Sequence, residues 1–225
     1  MTLGRPRLHL RETGSTNDRA RDLAVAGAPH GTLVTAGHQT AGRGRYGRTW
    51  SAPPGRSILM SLIVRPPGEL LPLRAGLAVA EIAGPAARVK WPNDVLLEGR
   101  KLAGVLAEGR PQDGWAVIGI GLNVAVDPAD LPPELRTIAS TLGRPPEAVE
   151  PTLTELLAAL ETWLAEERSA VVAAVRERDA LRGAPVRWAD GQGIGAGIDD
   201  DGCLLVRVDG GRTERLGAGE VTLTA

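Results

Sequence analysis

The stretch "APVRWADGQGIGAGIDDDGCLLVRVDGGRTERLGAGEVTLTA" (184–225) decides how this chain of 225 residues is organised. Short segments of alternating apolar and polar residues are separated by turn signals at Asp190-Gly191, Asp201-Gly202 and Gly210-Gly211. Such dipeptides are typical of turns between antiparallel strands. The stretch therefore predicts a small antiparallel β-barrel that follows a domain boundary near residue 183.

The preceding residues mix helical and strand patterns, so the fold class is α+β. Apolar runs predict strands at 7–13, 32–37, 57–66, 88–91, 104–110 and 115–124, with a short apolar segment at 95–97. Helices are expected at 17–27 with Ser15 and Thr16 at the N-cap, at 70–84, and twice within 151–183. The first of the last two is expected to be capped by Thr152 or Thr154, with Glu155 in its first turn. Residues 127–146 are rich in proline and are expected to be irregular.

Composition restricts the classes of function. Hydrophobic residues make up 43% and charged residues 24%, as in soluble globular proteins. A formal net charge of −1 provides no general attraction to nucleic acid. The single cysteine, Cys203, excludes an intramolecular disulfide. Neither a membrane-spanning run nor the apolar core of a signal peptide is apparent, so we expect a cytoplasmic protein.

The segment "QTAGRGRYGRTW" (39–50) alternates Arg43, Arg45 and Arg48 with glycines. It has no apolar stripe and is rich in glycine, so it predicts a mobile loop rather than a helix. Guanidinium groups bind carboxylates and phosphates through planar, charge-assisted hydrogen bonds. The loop therefore predicts an anion site, although a solvated loop or an RNA-binding Arg-Gly segment gives the same pattern.

Two lysines follow in "KWPND" (90–94) and "GRKLAGVLAE" (99–108). Pro92 disfavours helix at the preceding residue, so Lys90 is expected at a strand end, facing a pocket or the surface. Asn93 is expected to bind a substrate or to form a turn. Lys101 lies at the start of another strand.

The remaining sequence patterns argue against a catalytic nucleophile on a protein side chain. "IGIGLN" (118–123) is an apolar strand that ends at Asn123, and it lacks the helix that follows a dinucleotide-binding fingerprint. No Ser-His-Asp arrangement is evident, and the three histidines lack the spacing of metal ligands. A cationic, glycine-rich constellation without a nucleophile suits the binding of phosphates and a carboxylate, as acyl-adenylate formation requires.

Five motifs together resemble those of biotin–protein ligases. In order, they are "STN" (15–17), "QTAGRGRYGRTW" (39–50), "KWPND" (90–94), "RKLAGVLAE" (100–108) and "IGIGLNV" (118–124). The resemblance implies a mixed-sheet catalytic domain of the biotin/lipoate ligase type at 1–183. The predicted barrel at 184–225 resembles the SH3-like C-terminal domain of that family.

The resemblance also implies a reaction in two steps. Biotin and ATP, with Mg²⁺, would give biotinyl-5′-AMP, and a lysine of a biotin carboxyl carrier domain would then take the biotin. Family members that repress transcription carry an N-terminal helix-turn-helix domain. Here the first strand begins within ten residues, so we expect the class that is an enzyme only, with no DNA and no membrane as partners. A homodimer is left open.

Residue roles follow from the same resemblance. The biotin site would comprise Ser15, Thr16, Asn17, Gln39, Gly42, Arg43, Gly44, Arg45 and Lys90. The nucleotide site would comprise Arg45, Arg48, Trp50, Asn93, Lys101 and Asn123. Arg45 and Lys90 would be the catalytic residues, no metal site is expected within the protein, and Tyr46 receives no role. The alternatives are a lipoate–protein ligase, with the same adenylate chemistry, and a nucleic-acid-binding protein that uses the Arg-Gly loop.

Overall fold

The structure, a computed structural model, describes residues 3–224, with the backbone alone at 110 and 111. Residues 1, 2 and 225 of the two predicted domains lie outside that range. The strands are β1 (Arg7–Leu10), β2 (Leu33–Ala36), β3 (Ser57–Val64), β4 (Ala87–Lys90), β5 (Asp94–Leu97), β6 (Arg100–Arg110), β7 (Trp115–Asn123), β8 (Pro185–Trp188), β9 (Gly191–Ile198), β10 (Leu204–Arg207), β11 (Thr213–Leu216) and β12 (Thr222–Leu223). The helices are α1 (Thr16–Val25), α2 (Leu71–Ala83), α3 (Val149–Ala165) and α4 (Arg168–Glu177).

Seven strands form one mixed sheet in the order β1-β2-β3-β7-β6-β5-β4. β1 and β2 are parallel, and the other neighbours are antiparallel. The largely apolar β3 is buried at every position, which explains why it lies inside the sheet between β2 and β7. The sequence predicts that β6 begins at residue 104, but it begins at Arg100. The reason is a tight turn at Glu98-Gly99, where both residues have positive φ, because this turn pairs the start of β6 with β5.

Helices cover both faces of this sheet. α1 packs on one face through Ala20 and Ala24, against Val34, Ile63 and Val117. α2, α3 and α4 belong to the layer on the other face, where α2 contacts strands β4 to β7 and both other helices. α2 has nine buried residues, as its almost unbroken apolar sequence requires.

The prediction of the α3 N-terminus is wrong. The helix begins at Val149, directly after a 3-10 turn at Pro146–Ala148, so neither threonine caps it. Thr152 lies inside the helix, fully buried, and its hydroxyl accepts a hydrogen bond of 2.8 Å from Arg144 Nη1. The residue before the helix, Ala148, already has helical φ and ψ because it belongs to the 3-10 turn. The helix therefore has no extended N-cap residue whose side chain could accept from its first N–H groups.

The five C-terminal strands form a second, antiparallel sheet in the order β11-β10-β9-β8-β12. Two of its turns lie at the predicted Asp201-Gly202 and Gly210-Gly211, whereas the first turn is at Ala189-Asp190 because Gly191 already pairs with Trp188 in the sheet. Its buried apolar side chains join the hydrophobic cluster that contains α2 and α4; they include Val186, Ile198, Leu204, Val206 and Val221. Trp91 Nε1 also donates a 3.0 Å hydrogen bond to the carbonyl oxygen of Gly202. The two sheets thus share one core, and the division into two folding units at 183 stays a prediction.

Among the helices described, none has both the length and the apolar character that crossing a membrane demands.

Candidate active site

A cavity of about 260 Å³ opens on the α1 face of the large sheet. β6 and β7 form its floor, the first turn of α1 lies at one end, and the Arg-Gly loop and the proline-rich segment complete the wall. The predicted site residues that line it are Ser15, Thr16, Asn17, Gln39, Arg43, Gly44, Arg45, Arg48, Trp50, Asn93, Lys101 and Asn123. Gly42 instead lines a neighbouring hollow under the loop, and Lys90 lines neither. Twelve of the 25 residues that line this cavity are therefore among the predicted site residues.

Glycines make room on the floor of the cavity. Alternate residues of a strand share one face, so Gly119 and Gly121 of "IGIG" both face the cavity. A Cβ on Gly119 would lie 2.1 Å from Asn17 Oδ1, and a Cβ on Gly121 would lie 2.4 Å from the Trp50 ring. Gly104 is opposite Gly121 in the sheet and is also covered by Trp50. The glycines are therefore required where these two side chains lie directly on the backbone.

The end of the cavity next to α1 is neutral and rich in hydrogen bonds. The Thr16 backbone N–H donates to Gln39 Oε1 at 2.7 Å, and the Thr16 hydroxyl lies 3.1 Å from the same oxygen. Ser61 Oγ lies 2.8 Å from Thr16 Oγ1 and 2.5 Å from Asn17 Oδ1. Ser15 occupies the predicted N-cap position, but its side chain does not cap the helix. Sequence reasoning missed Ser61, whose signal is a lone hydroxyl within an apolar strand.

A buried carboxylate organises the cationic end. Asp94 is 8% exposed; its Oδ1 lies 2.8 Å from Lys101 Nζ and its Oδ2 lies 3.7 Å from Lys90 Nζ. Burial lowers the pKa of the Lys90 ammonium, and the charge of Asp94 opposes that effect. Only Lys101 of the two lysines reaches the cavity wall. The sequence did not identify Asp94 as a site residue, because an Asn-Asp pair considered alone indicates a turn.

The Arg-Gly loop is closed by its own backbone. Gly44 N–H donates to Arg48 O at 2.7 Å, and Trp50 N–H donates to Gly42 O at 2.9 Å. A Cβ on Gly42 would lie 2.5 Å from Trp50 O, so the close approach of the two loop ends requires glycine. The loop thereby places Trp50 over the floor of the cavity.

Each arginine of the loop has a protein partner. Arg43 Nη2 lies 2.7 Å from Asp18 Oδ1 and 3.1 Å from Glu108 Oε2. Arg45 Nη1 donates to Asn93 Oδ1 at 3.2 Å, and its guanidinium lies 5.0 Å from the Tyr46 ring centroid.

The third arginine, Arg48, pairs at 2.8 Å with Glu220, which lies between the last two strands of the C-terminal sheet. The charges of the loop are therefore oriented between acidic and amide groups, an arrangement different from a freely solvated Arg-Gly tail.

The proline-rich segment lines the far end of the cavity, a function that its irregular sequence did not indicate. It contributes Leu131, Leu135, Ile138 and Ala139. Backbone hydrogen bonds of 2.7 Å join Lys101 N to Ile138 O and Ser140 N to Lys101 O.

Asn123 secures the same segment, since its Nδ2 donates to Ser140 O at 2.9 Å while its Oδ1 accepts from Ser57 at 3.3 Å. The Trp50 indole N–H is buried without a hydrogen-bond partner among the described residues.

The arrangement suits an elongated ligand. Neutral hydrogen-bonding groups occupy one end of the cavity, and Arg45 and Lys101 bring positive charge to the other part of the wall. Trp50 offers an aromatic face between them, with Lys101 Nζ 5.9 Å from its ring centroid. Within residues 3–224, no three His, Cys, Asp or Glu side chains are grouped so that they could hold a metal ion.

Two proteins with similar sequences are ligases by name. The biotin–[acetyl-CoA-carboxylase] ligase of Mycobacterium tuberculosis is 39% identical over 233 residues, which cover 93% of this chain and 86% of the relative. The bifunctional ligase/repressor BirA of Bacillus subtilis is 44% identical over 142 residues, 58% of this chain and 44% of that longer protein.

A solved structure is also similar. The biotin protein ligase of Aquifex aeolicus, in complex with biotin and ATP, superposes with a TM-score of 0.83 at 26% identity and covers 98% of this chain and 99% of that one. Residues 10–124, which hold the loop, both lysine motifs and the glycine floor, match the sequence pattern of the biotin/lipoate A/B protein ligases. The chain is a member of the biotin/lipoate A/B protein ligase family.

Proposed function

We propose that the protein is an ATP-dependent biotin–protein ligase. It activates biotin as biotinyl-5′-AMP and transfers the biotinyl group to a lysine of a biotin carboxyl carrier domain. Support comes from the family membership, from the M. tuberculosis relative over nearly the whole chain and from the similarity to a ligase solved with biotin and ATP. The oligomeric state is left open, and DNA binding is not part of the proposal, since the formal net charge is −1.

The observation that carries the proposal is the order of groups along the cavity. Biotin has an uncharged ureido ring at one end and a carboxylate at the end of an apolar chain. The ring matches the neutral end with Thr16 and Gln39, and the carboxylate matches the cations Arg45 and Lys101. Trp50 and Asn123 remain for the adenine, and the backbone of Gly44 contacts the side of the ligand.

In the first step, a biotin carboxylate oxygen attacks the α-phosphorus of ATP and pyrophosphate leaves. Both reactants are anions, so positive groups must offset their repulsion and stabilise the charge on the transferring phosphoryl group. Arg45, with Asn93 as its partner, Arg48 and Lys101 are placed on the wall to do so. Mg²⁺ enters as part of the Mg-ATP substrate. Lys90 acts through the shared carboxylate of Asp94, which orients Lys101.

In the second step, the neutral amine of the acceptor lysine attacks the acyl carbon and AMP leaves. The adenylate is prone to hydrolysis, so water must be kept away until the acceptor arrives. The loop at 42–50 covers the cavity and serves this purpose.

The proposal is tested by the exchange of labelled pyrophosphate into ATP. We expect exchange that depends on biotin, and only background exchange with lipoate. Equal exchange with and without biotin, in protein shown to be folded, would contradict the proposal, and exchange that depends on lipoate instead would assign the chain to the other branch of the family. Incubation with a purified carrier domain then measures transfer as a mass increase on its lysine.

A further inference from the structure

A chain of polar contacts links the Arg-Gly loop to the neutral end of the cavity. It runs from Arg43 to Glu108, then to Asn17, Ser61 and Thr16. Thr16 in turn contacts Gln39, four residues before Arg43, so the chain closes into a ring. Glu108, on β6, is not among the residues assigned to biotin or ATP, yet it contacts both Arg43 of the loop and Asn17 of α1.

The direction of the hydrogen bonds in this chain is fixed by Glu108. The neighbours of Asn17 Nδ2 are Glu108 Oε2 at 2.7 Å and the carbonyl oxygen of Leu106 at 3.3 Å, and both can only accept. The amide nitrogen must therefore face them, and Asn17 Oδ1 must face Ser61. Since Oδ1 can only accept, the single hydroxyl proton of Ser61 is donated to Asn17.

The same argument determines the direction of the hydrogen bond made by the Thr16 hydroxyl. Ser61 has no second proton, so the 2.8 Å contact between the two hydroxyls requires Thr16 to be the donor. Gln39 Oε1 is then satisfied by the Thr16 backbone N–H at 2.7 Å. Donation to Ser61 uses neither lone pair of the Thr16 hydroxyl, and Thr16 lines the cavity, so this hydroxyl can accept from an N–H group of a ligand.

Glu108 Oε2 also contacts the Arg-Gly loop. Glu108 Oε2, which accepts from Asn17, also lies 3.1 Å from Arg43 Nη2. Arg43 is flanked by Gly42 and Gly44, which have no side chains to hold this part of the loop. Its other partner, Asp18, lies on the exposed part of α1, whereas Glu108 connects Arg43 to the buried Asn17.

We propose that Glu108 is a positioning residue for ligand binding: it fixes the Asn17–Ser61–Thr16 chain so that Thr16 accepts an N–H from the ligand, and it anchors the loop through Arg43. The identity of that ligand as biotin, through its ureido N–H, rests on the proposed function. The role of Glu108 in placing the loop and the hydrogen bonds of the ligand-free protein is independent of the proposed function.

The test compares Glu108→Gln and Glu108→Met with wild type. Glu108→Gln keeps an oxygen for Asn17 but loses the charge for Arg43, whereas Glu108→Met loses both. We expect the KM for biotin to rise about fivefold in the first and at least about tenfold in the second, with kcat and the KM for ATP unchanged. In the ligand-free protein, hydrogen exchange of the amides at 40–44 should accelerate in both variants.

Two controls match these variants. Asp18→Asn removes the other carboxylate of Arg43 and should change the KM for biotin less than about twofold, since Arg43 keeps its contact with Glu108 and, through it, with Asn17. Glu150→Gln breaks a bidentate pair with Arg7 away from the cavity and should change neither kinetic constant. In an Arg43→Gln background, Glu108→Gln should add little, while Glu108→Met should still raise the KM because the contact to Asn17 is lost.

Specific results would overturn the inference. A wild-type KM for biotin in folded Glu108→Met, or a lowered kcat with an unchanged KM, would show that Glu108 does not position the binding site. Unchanged exchange at 40–44 in both variants would refute the anchoring of the loop. If the wild-type protein itself does not bind biotin, the proposed function fails, and the exchange measurement on the free protein still decides the role of Glu108 in the loop.

Discussion

Arg48 Nη1 of the Arg-Gly loop lies 2.8 Å from Glu220 Oε1, which precedes the last strand of the C-terminal sheet. The pair connects the loop over the cavity to a region more than 170 residues later in the sequence. Both side chains are partly exposed, at 50% and 37%, so the contact contributes little to overall stability. Its effect is to hold a guanidinium at the cavity wall.

Glu220→Gln is therefore expected to affect the nucleotide more than the fold. Without the carboxylate, Arg48 is less restricted, and we expect the KM for ATP to rise about threefold to tenfold, with the free energy of unfolding changed by less than about 1 kcal/mol. Pyrophosphate exchange at varied ATP and a thermal melt measure the two effects. An unchanged KM for ATP would show that the pair has no part in nucleotide binding.

The two lysines that share Asp94 are expected to differ. Lys101→Met removes the cation on the cavity wall, so we expect the exchange rate to fall at least about a hundredfold. Lys90→Met should lower the rate less, because Lys90 does not line the cavity and shares the carboxylate of Asp94 with Lys101. Single-turnover formation of the adenylate measures both. A larger loss in Lys90→Met would support the sequence-based assignment of Lys90 beside the acyl-phosphate junction.

The glycine floor allows the two ends of the cavity to be perturbed separately. Gly121→Ala would displace Trp50, and Gly119→Ala would displace Asn17. We expect the first to weaken ATP binding and the second to weaken biotin binding, each with a cost of about 1–3 kcal/mol in stability from overpacking. Calorimetric titration of each ligand checks this division. Equal losses for both ligands in both variants would contradict it.

Asp179 gives the protein a stability that depends on pH. It lies between α4 and β8, where its Oδ1 accepts from Leu181 N–H at 2.8 Å and its Oδ2 has no partner among the described residues. Burial raises the pKa of this carboxyl, so the folded state binds a proton more readily than the unfolded state does. Stability gained by this group therefore increases as the pH falls through its raised pKa.

Asp179→Asn keeps the oxygen for Leu181 and removes the charge. We expect the variant to melt at a higher temperature than wild type at pH 7, with the difference shrinking as the pH is lowered. Melts at several pH values measure this trend. A difference that is constant with pH would show that the charge of Asp179 is not the cause.

The C-terminal sheet tests the predicted domain boundary. A chain ended at Gly183 would expose the side chains of α2 and α4 that now pack on the sheet, at about 1.5–3 kcal/mol for each large side chain that is fully exposed. We expect a lower melting temperature and weaker ATP binding. Cys203→Ser, the control within the sheet, should retain wild-type exchange because the thiol lies outside the cavity. Full activity in the truncated chain would refute the supporting role of this sheet.

The α+β class, the order of the strands along the chain, two of the turns of the second sheet and 12 of the 25 residues that line the cavity could be predicted from the sequence. These features depend on local properties: apolar periodicity, turn dipeptides, and the concentration of arginine and glycine in one loop. Tertiary structure decided which charged groups meet. Asp94 lies between Lys90 and Lys101 because β4, β5 and β6 are neighbours, and Glu220 reaches Arg48 because the two sheets share a core. Ser61 and Glu108 join one hydrogen-bonded ring for the same reason, since side chains on neighbouring strands and a helix are brought within 3 Å only by the pairing and packing of elements that are distant in sequence.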